Sequence, residues 1–444
     1  MAKTGGEISS DVIVVGAGVA GLAAARRLAA AQLRVTIVEG RNRIGGRIHT
    51  LRPPGCPIPI EAGAEFIHGE SEETWSIVGA AGLAAHEIPE RHETFVGTGL
   101  QTADQGGEWE EIFSRLKVLQ GSDLSFADFL ERHCSDISSA AQAQAVAYVE
   151  GFNAADKETI STRWLAQSVQ AITDETSFRF SEGYGQVVEW LAAGLNPVTT
   201  QIHLGTAARK ISWRRNRVEL QASPADGQAS PPLVAPRLVV ALPLGILQLA
   251  PGSFGAVEFS PDLAEKRAAW NRLRMGPVVK LVLRFREPFW ERDRRELVFL
   301  HAPGQPIVTW WTTNPLPSAV LTGWSGGAQT KALEGMTESQ ILSVGLETLS
   351  KLFPMSRDEL DRLLVDSHVF DWRADPFSRG AYAYVPVDAL DAPDKLAAPV
   401  DDTLFFAGEA TDSRRMGTVS GAIASGYRAA EEVLRAIQAQ AKAC

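Results

Sequence analysis

The chain is poor in cysteine, lacks long apolar runs and carries no surplus of positive charge. Its 444 residues include three scattered cysteines, Cys56, Cys134 and Cys444. They form neither a CxxC pair nor a metal-ligand pattern, so a disulfide framework and a cysteine-held metal are both excluded as organising devices. No window approaches 18 uncharged apolar residues, and no membrane span is expected. The opening residues are a short polar lead rather than an apolar signal segment, which makes a reducing cytoplasm the expected location. A formal charge of −10 argues against nucleic-acid partners and favours the approach of a cationic small molecule, within the range that salt leaves unscreened. No internal repeat or low-complexity tail is present. What remains is a globular composition, 45% hydrophobic and 22% charged, in a chain too long for one ordinary core. Two domains are the natural expectation.

The strongest local signal comes early. Asp11-Val-Ile-Val-Val-Gly16-Ala-Gly18-Val-Ala-Gly21 reads as a buried strand, a glycine turn and the start of a helix. Gly16 turns the chain, Gly18 lets the backbone approach a pyrophosphate, and Gly21 allows close packing of helix on sheet. N–H groups at the helix start then face negative phosphates. Glu39 ends the next apolar run, Val35 to Val38, where a carboxylate can accept hydrogen bonds from ribose hydroxyls. Strand, helix and acid together predict a site for the adenosine diphosphate half of a dinucleotide.

Helical patterns dominate from Glu111 to about Gly194, for instance Ser138 to Val149 and Gly185 to Ala193. Phe95 to Glu110 reads as a loop or short strands. Strands return at Val218 to Gln221, at Arg237 to Pro243, and from Lys280 to Phe285. Ile307 to Trp311 and Val320 to Trp324 look like antiparallel strands of a second sheet. Gly326 to Leu352 and Arg357 to Leu364 read as helices, and Ser223 to Pro236 as a proline-rich turn region. A strand from Thr403 to Ala407, a glycine loop and an alanine-rich helix from about Val419 to Gln438 close the chain. First and last units both look like cofactor binders, with other material inserted between them.

Six segments in this order resemble the flavin-containing amine oxidases, which include monoamine and polyamine oxidases. They are the glycine turn; Arg43-Ile-Gly45-Gly46-Arg47; Glu61-Ala-Gly63-Ala64-Glu65-Phe66-Ile-His68-Gly69; Val240 to Leu247; Met275 to Lys280; and Phe406-Ala-Gly408-Glu409-Ala-Thr411 with Gly417 to Ala422. The pattern is closest to that of polyamine oxidases. The resemblance implies an α/β fold in which a Rossmann-like FAD-binding domain (1–90, 200–290 and 390–444) interleaves with an α+β substrate domain (91–199 and 291–389) built on a mixed sheet and helices. It selects FAD. Gly16, Gly18, Gly21, Glu39, Arg41, Gly45, Gly46, Arg47, Gly63, Ala64, Gly408, Glu409, Thr418 and Val419 are the expected cofactor contacts. Arg47 would offset pyrophosphate charge, and Glu409 would accept hydrogen bonds from the ribityl chain. The helix starting near Thr418 would aim N–H groups at the flavin C2 carbonyl. Ala381 stands where monoamine oxidases carry a flavin-tethering cysteine, so the FAD is expected to be non-covalent.

Lys280 is the sharpest catalytic candidate. Its neighbours are apolar, and an unpaired ammonium among them would be costly. In the resembling family the matching lysine holds a water near flavin N5. Tyr382 matches an aromatic residue flanking substrate above the flavin, where its ring excludes water and guides an amine. Thr418 takes the place of the second aromatic of that pair, Ser420 that of a histidine common in polyamine oxidases. Trp324 or Phe66 could complete the wall. His68 matches a substrate contact of several animal polyamine oxidases, and Glu65 is placed to help it bind an amino group.

No arginine for a substrate carboxylate appears beside these residues, which favours spermidine or spermine over amino acids. The expected reaction passes a hydride from the carbon next to the amine to flavin N5, followed by imine hydrolysis and reoxidation by dioxygen to hydrogen peroxide. A monoamine oxidase, an L-amino-acid oxidase, a desaturase-like flavoenzyme and a flavoprotein without catalysis remain alternatives on the same scaffold. No metal is expected, and monomer and homodimer stay open.

Overall fold

The computed structural model describes residues 8–97, 99–102, 107–171, 176–224, 231–292, 294 and 296–443. Cys444 and residues 225–230 of the proline-rich stretch lie outside the described residues.

Every side chain of Val12–Val15 is buried, the pattern of a strand covered on both faces. It is the middle strand of a five-stranded parallel sheet ordered Thr200–His203, Val35–Val38, Val12–Val15, Arg237–Val240 and Leu404–Phe406. Val12 stands opposite both Val35 and Arg237, which brings the carboxyl ends of these strands to one edge. Helix Val19–Ala30 leaves that edge with Leu22, Ala23, Ala24 and Ala25 fully buried. The closing helix Val419–Ala443 lies against it. Gly426 makes this close approach possible, because a Cβ there would sit 2.2 Å from the carbonyl oxygen of Ala20. The chain thus has a Rossmann-like layer drawn from distant stretches of sequence.

A second, mixed sheet has seven strands in the order Leu364–Asp371, Val278–Phe285, Val320–Gly326, Thr309–Thr312, Phe299–His301, His92–Val96 and Gly99–Thr102. Its pairs are antiparallel except Phe299–His301 with His92–Val96. Leu281, Leu283, Trp310 and Leu321 join Leu346 and Leu349 of helix Glu338–Leu352 in one apolar core. Strand Val278–Phe285 lies inside the 200–290 segment that the sequence assigns to cofactor binding. It belongs to this second sheet, because both of its edges are hydrogen-bonded there.

Ile67–His68, Ser177–Phe180 and Ala85–Glu87 form a small three-stranded sheet. The helices Glu108–Val118, Phe126–His133, Ser139–Phe152 and Thr162–Ala171 supply the helical insert. One expected element is divided. The stretch from Gly326 to Leu352 is a 3-10 helix, Gly327–Leu333, followed by a separate α-helix, Glu338–Leu352. Gly335 has φ +73° between them, and Thr337 restarts the helix with a capping box to Gln340.

Candidate active site

The turn after Val15 is built from backbone. Gly16 has φ +105°, and a Cβ there would lie 2.6 Å from the Ala241 carbonyl oxygen. Gly21 is tighter still, with a Cβ falling 2.0 Å from the Gly16 oxygen. Gly18 differs from both: a Cβ there would meet nothing within 4 Å. It opens onto free space at the start of helix Val19–Ala30, whose N-cap has no side-chain hydrogen bond. First-turn N–H groups therefore point into that space without intrahelical partners. Gly45 pairs with this turn, donating its N–H to the Ala17 oxygen at 2.9 Å, and Gly46 (φ +60°) would bring a Cβ to 3.2 Å from Gly18 Cα. Glu39 is buried nearby. It accepts from the N–H of Ala17 at 2.8 Å and of Arg41 at 2.9 Å. The Arg41 side chain turns to Asp375 and to Ser378 Oγ.

Arg47 ties this cradle to the far end of the chain. Its Nη1 donates to Glu409 Oε1 at 2.9 Å and to the Ala381 oxygen at 2.6 Å. Glu409 is itself buried and also accepts from the N–H groups of Gly417 at 3.0 Å and Ala383 at 3.3 Å. The sequence assigned Glu409 to a ribityl chain. In the structure its carboxylate holds Arg47 and the loop before the closing helix. Gly408, at φ +127°, leaves the space beside it open, its nearest neighbour to a Cβ being 3.8 Å away. Thr418 caps the closing helix, accepting from Gly421 N–H at 3.0 Å, and Val419 is the first helical residue.

Lys280 is 1% exposed. Its Nζ donates to Glu65 Oε2 at 2.7 Å and to the Gly63 oxygen at 3.2 Å, and lies 5.6 Å from the Trp311 ring centroid. Gly63 connects lysine to cradle, because a Cβ there would strike the Arg47 oxygen at 1.9 Å. Ala64 N–H reaches the same oxygen at 3.2 Å. Glu65 Oε1 accepts from Trp311 Nε1 at 3.0 Å and lies 3.2 Å from Arg179 Nη2. Burial raises the Glu65 pKa, but the Lys280 and Arg179 charges and the bonds from Lys280 and Trp311 outweigh it, and the carboxyl ends below its ordinary value. Glu65 is thus the anionic centre between two buried cations. An amine-binding role, the sequence expectation, would have to share oxygens that these groups already occupy.

Aromatic rings wall this region. Trp324 stands opposite Lys280 in the sheet, 5.8 Å from Trp311, and gives its Nε1–H to the Gly151 oxygen at 3.0 Å. Tyr382 packs in the same apolar cluster as Trp324, with Ala154, Val278, Trp372 and Ala381. The Tyr382 hydroxyl donates to the Phe152 oxygen at 2.7 Å, and its ring abuts Gly417, the neighbour of Thr418. Phe66 lies 5.4 Å from Trp311, and His68 lies 5.4 Å from Phe152. Burial lowers the His68 pKa to about 4, against the raising effect of Glu90, so its imidazole is neutral at physiological pH.

The structure therefore brings Lys280, Glu65, Phe66, Trp324 and Tyr382 into one neighbourhood, with His68 at its Phe152 side. Sequence reasoning missed Arg179, Trp311 and Phe152. Trp311 had a signal: in the doublet Trp310-Trp311 strand alternation sends one ring to the core and the other to the opposite face. Arg179 and Phe152 had none, lying in a short strand and at a helix end far from the motifs.

The cradle fits a flavin dinucleotide on its own geometry. It has glycines at the points of close approach, an open space over Gly18, uncapped helix N–H groups and an acid at the end of the second strand. Ala381 carries no thiol that could bond a flavin. Comparison with known proteins agrees. Residues 19–434 match the family described as flavin containing amine oxidoreductase. Polyamine oxidase 2 of Arabidopsis thaliana is 29% identical over 468 residues, covering 96% of this chain and 88% of that protein. A putrescine oxidase structure with bound putrescine superposes with a TM-score of 0.80 at 19% identity, over 96% of this chain and 99% of that one. Cyclohexylamine oxidase from Brevibacterium oxydans IH-35A gives 0.79 at 20% identity, over 98% and 100%. At these identities the two structures establish shared fold. The sequence match establishes the rest: the chain belongs to the flavin-containing amine oxidoreductase family, as an enzyme that oxidises amines with non-covalent FAD.

Proposed function

We propose that this enzyme oxidises a polyamine, with spermidine or spermine ahead of aromatic monoamines, in the cytoplasm. FAD, when bound, supplies the two-electron acceptor and passes the electrons to dioxygen, giving hydrogen peroxide. The chain's own residues do the remaining work. Gly16, Gly18, Gly45 and Gly46 admit the pyrophosphate, the start of helix Val19–Ala30 faces it, and Arg47 offsets its charge. Lys280, held by Glu65 and Gly63, would order a water for the bound flavin. Tyr382, Trp324 and Phe66 exclude bulk water and offer ring faces to a cation.

Exclusion of water has a chemical purpose. The reacting nitrogen must be neutral for its lone pair to assist C–H cleavage. An alkylammonium with a pKa of about 10.4 costs roughly 4–5 kcal/mol to deprotonate at neutral pH. An apolar aromatic lane offsets part of that by disfavouring the charged form. Water then hydrolyses the imine product. Residues 1–90, 200–277 and 390–444 are assigned to cofactor binding, and 91–199 and 278–389 to the substrate side.

The observation that carries the choice of a cationic substrate is the Arg179–Glu65 ion pair. The buried arginine of this region already faces a carboxylate of the chain, which disfavours its use for a substrate carboxylate. The relationship to plant polyamine oxidases supports the same reading. The test is anaerobic mixing of the yellow enzyme with spermidine, spermine, putrescine, cyclohexylamine, benzylamine and L-amino acids. Fastest bleaching by spermidine or spermine, with peroxide on readmitting air, is expected. Faster bleaching by an amino acid or a monoamine would replace the polyamine reading.

A further inference from the structure

We propose that the pocket behind Lys280, walled by Glu61, Glu65 and Arg179, is a water-holding proton chamber that links the active site to solvent, with Glu61 as its proton-holding residue. The proposal rests on Lys280 belonging to the amine-oxidising site described above.

The geometry is of a built site. Glu65 forms the wall between pocket and lysine, and Arg179, Thr313 and Thr322 line the interior. Ile58, Pro59 and Leu316 form a half-buried rim, which gives the pocket a mouth. Arg179 is 5% exposed, yet its Nε and Nη2 have no hydrogen-bond partner among the described residues. Nη2 approaches Glu65 only as an ion pair at 3.2 Å. Buried guanidinium N–H groups left dry are costly. A polar pocket at their side lets water satisfy them.

Glu61 is held firmly in this wall. It accepts from Thr50 Oγ1 at 2.9 Å and from the Tyr184 N–H at 2.7 Å. Gly183 makes room for it, since a Cβ there would lie 2.6 Å from Glu61 Oε1. The charged and titratable groups facing it are Lys280 from the strand above, Arg179 from the small sheet, and Glu65 and Tyr184 beside it. Burial raises the Glu61 pKa to about 7. The Tyr184 N–H, Lys280 and Thr50 oppose the rise, and Glu65 adds to it. Both forms are then populated at neutral pH, which suits a group that must take up and release protons.

The reaction needs such a group. A substrate ammonium must become a neutral amine before oxidation, so one proton leaves and no electrons move. Lys280 first gives the proton of its Nζ–Oε2 hydrogen bond to Glu65 and takes the substrate proton in its place, and Glu65 passes its proton on into the pocket. The Glu61 carboxylate takes it up as a neutral acid, then releases it through the water at the mouth. Lys280 and Glu65 end as they began, and net charge is conserved.

Two measurements on the holoenzyme test this. The first is an infrared pH titration between about pH 5 and 9, which needs no turnover. A protonated-carboxyl band that disappears near pH 7, and is missing in Glu61→Gln, is expected. The second is the pH profile of anaerobic flavin reduction by the best amine. Glu61→Gln should slow reduction about tenfold at pH 7 and remove the inflection there, while Glu61→Asp restores a displaced inflection. A wild type with no carboxyl band titrating in that range, or a Glu61→Gln enzyme that keeps the inflection, would overturn the proposal. If Glu61→Gln does not fold, the wild-type titration and its displacement in Glu61→Asp decide. Failure of every amine to bleach the wild type would strike the proposed function instead, and the infrared result would still rule on Glu61.

Discussion

The cradle at Gly16–Gly21 and the pocket at Lys280 hold charge in contrasting ways. The cradle is almost bare of side chains, and what it offers an anion is backbone N–H groups at a helix start. Its parts lie within a few residues of each other. The Lys280 pocket is made of side chains from four separated segments, carrying Lys280, Glu65, Arg179 and Trp311. It buries opposite charges against one another. The first device tolerates no added bulk. The second tolerates no missing partner.

Substitutions can break that contrast, beginning with the largest effect. Gly21→Ala places a methyl 2.0 Å from the Gly16 oxygen. The turn itself must shift, and we expect insoluble protein or thermal unfolding well below the wild type. Soluble expression with an unchanged melting temperature would show that the turn is softer than this. Next comes Glu65→Gln, which leaves Lys280 and Arg179 buried without their anion. Losing one partner of a buried ionic cluster costs about 3–5 kcal/mol, measurable by denaturant titration of the FAD-free protein. A loss under 1 kcal/mol would mean that water already screens the pair.

Gly18→Ala sharpens the comparison most. Gly18 has φ −68°, which alanine adopts freely, and its Cβ would meet nothing in the protein. The FAD-free melting temperature should stay within about 2 °C of the wild type. FAD affinity should fall at least about tenfold, or roughly 1.4 kcal/mol, because the methyl enters the space assigned to the pyrophosphate. Equal FAD affinity would move the pyrophosphate elsewhere.

The smallest effect expected is a pH dependence. His68 and His301 have folded pKa values of about 4, lowered by burial from 6.5. Between those values the unfolded chain binds more protons, so both residues make stability fall as pH drops from about 6.5 toward 4. Glu61 acts in the opposite sense. Its folded pKa of about 7 exceeds the ordinary 4.5, so its contribution is present at low pH and is lost as pH rises through that window. Glu61→Gln should therefore steepen the acid loss of melting temperature. A parallel curve would mean that folding leaves the Glu61 pKa at its ordinary value.

The same contrast explains what was legible in the sequence. Gly16, Gly18, Gly21 and Glu39 could be read directly, since a turn's requirements fall on neighbouring residues. Strand Val12–Val15 and helix Gly185–Ala193 were equally plain from period and length. Lys280 was recognised as costly to bury, but its anion was not, because Glu65 is 215 positions away. Glu65 was therefore read toward substrate, and Glu409 toward cofactor, without the cation of the chain that each also holds. Arg179 was invisible for the same reason. Sequence spacing reveals a backbone device, whereas a charge cluster becomes apparent only once the sheets are assembled.

The most direct test of the whole account is stopped-flow measurement of both flavin half-reactions in Lys280→Met, with bound FAD quantified by absorbance. The account predicts near-stoichiometric FAD, because the cradle does not use this side chain, and a rate loss on the order of 10²-fold in reduction or reoxidation. Full retention of FAD with both rates unchanged would place Lys280 outside the reacting site and separate the two regions described here as one.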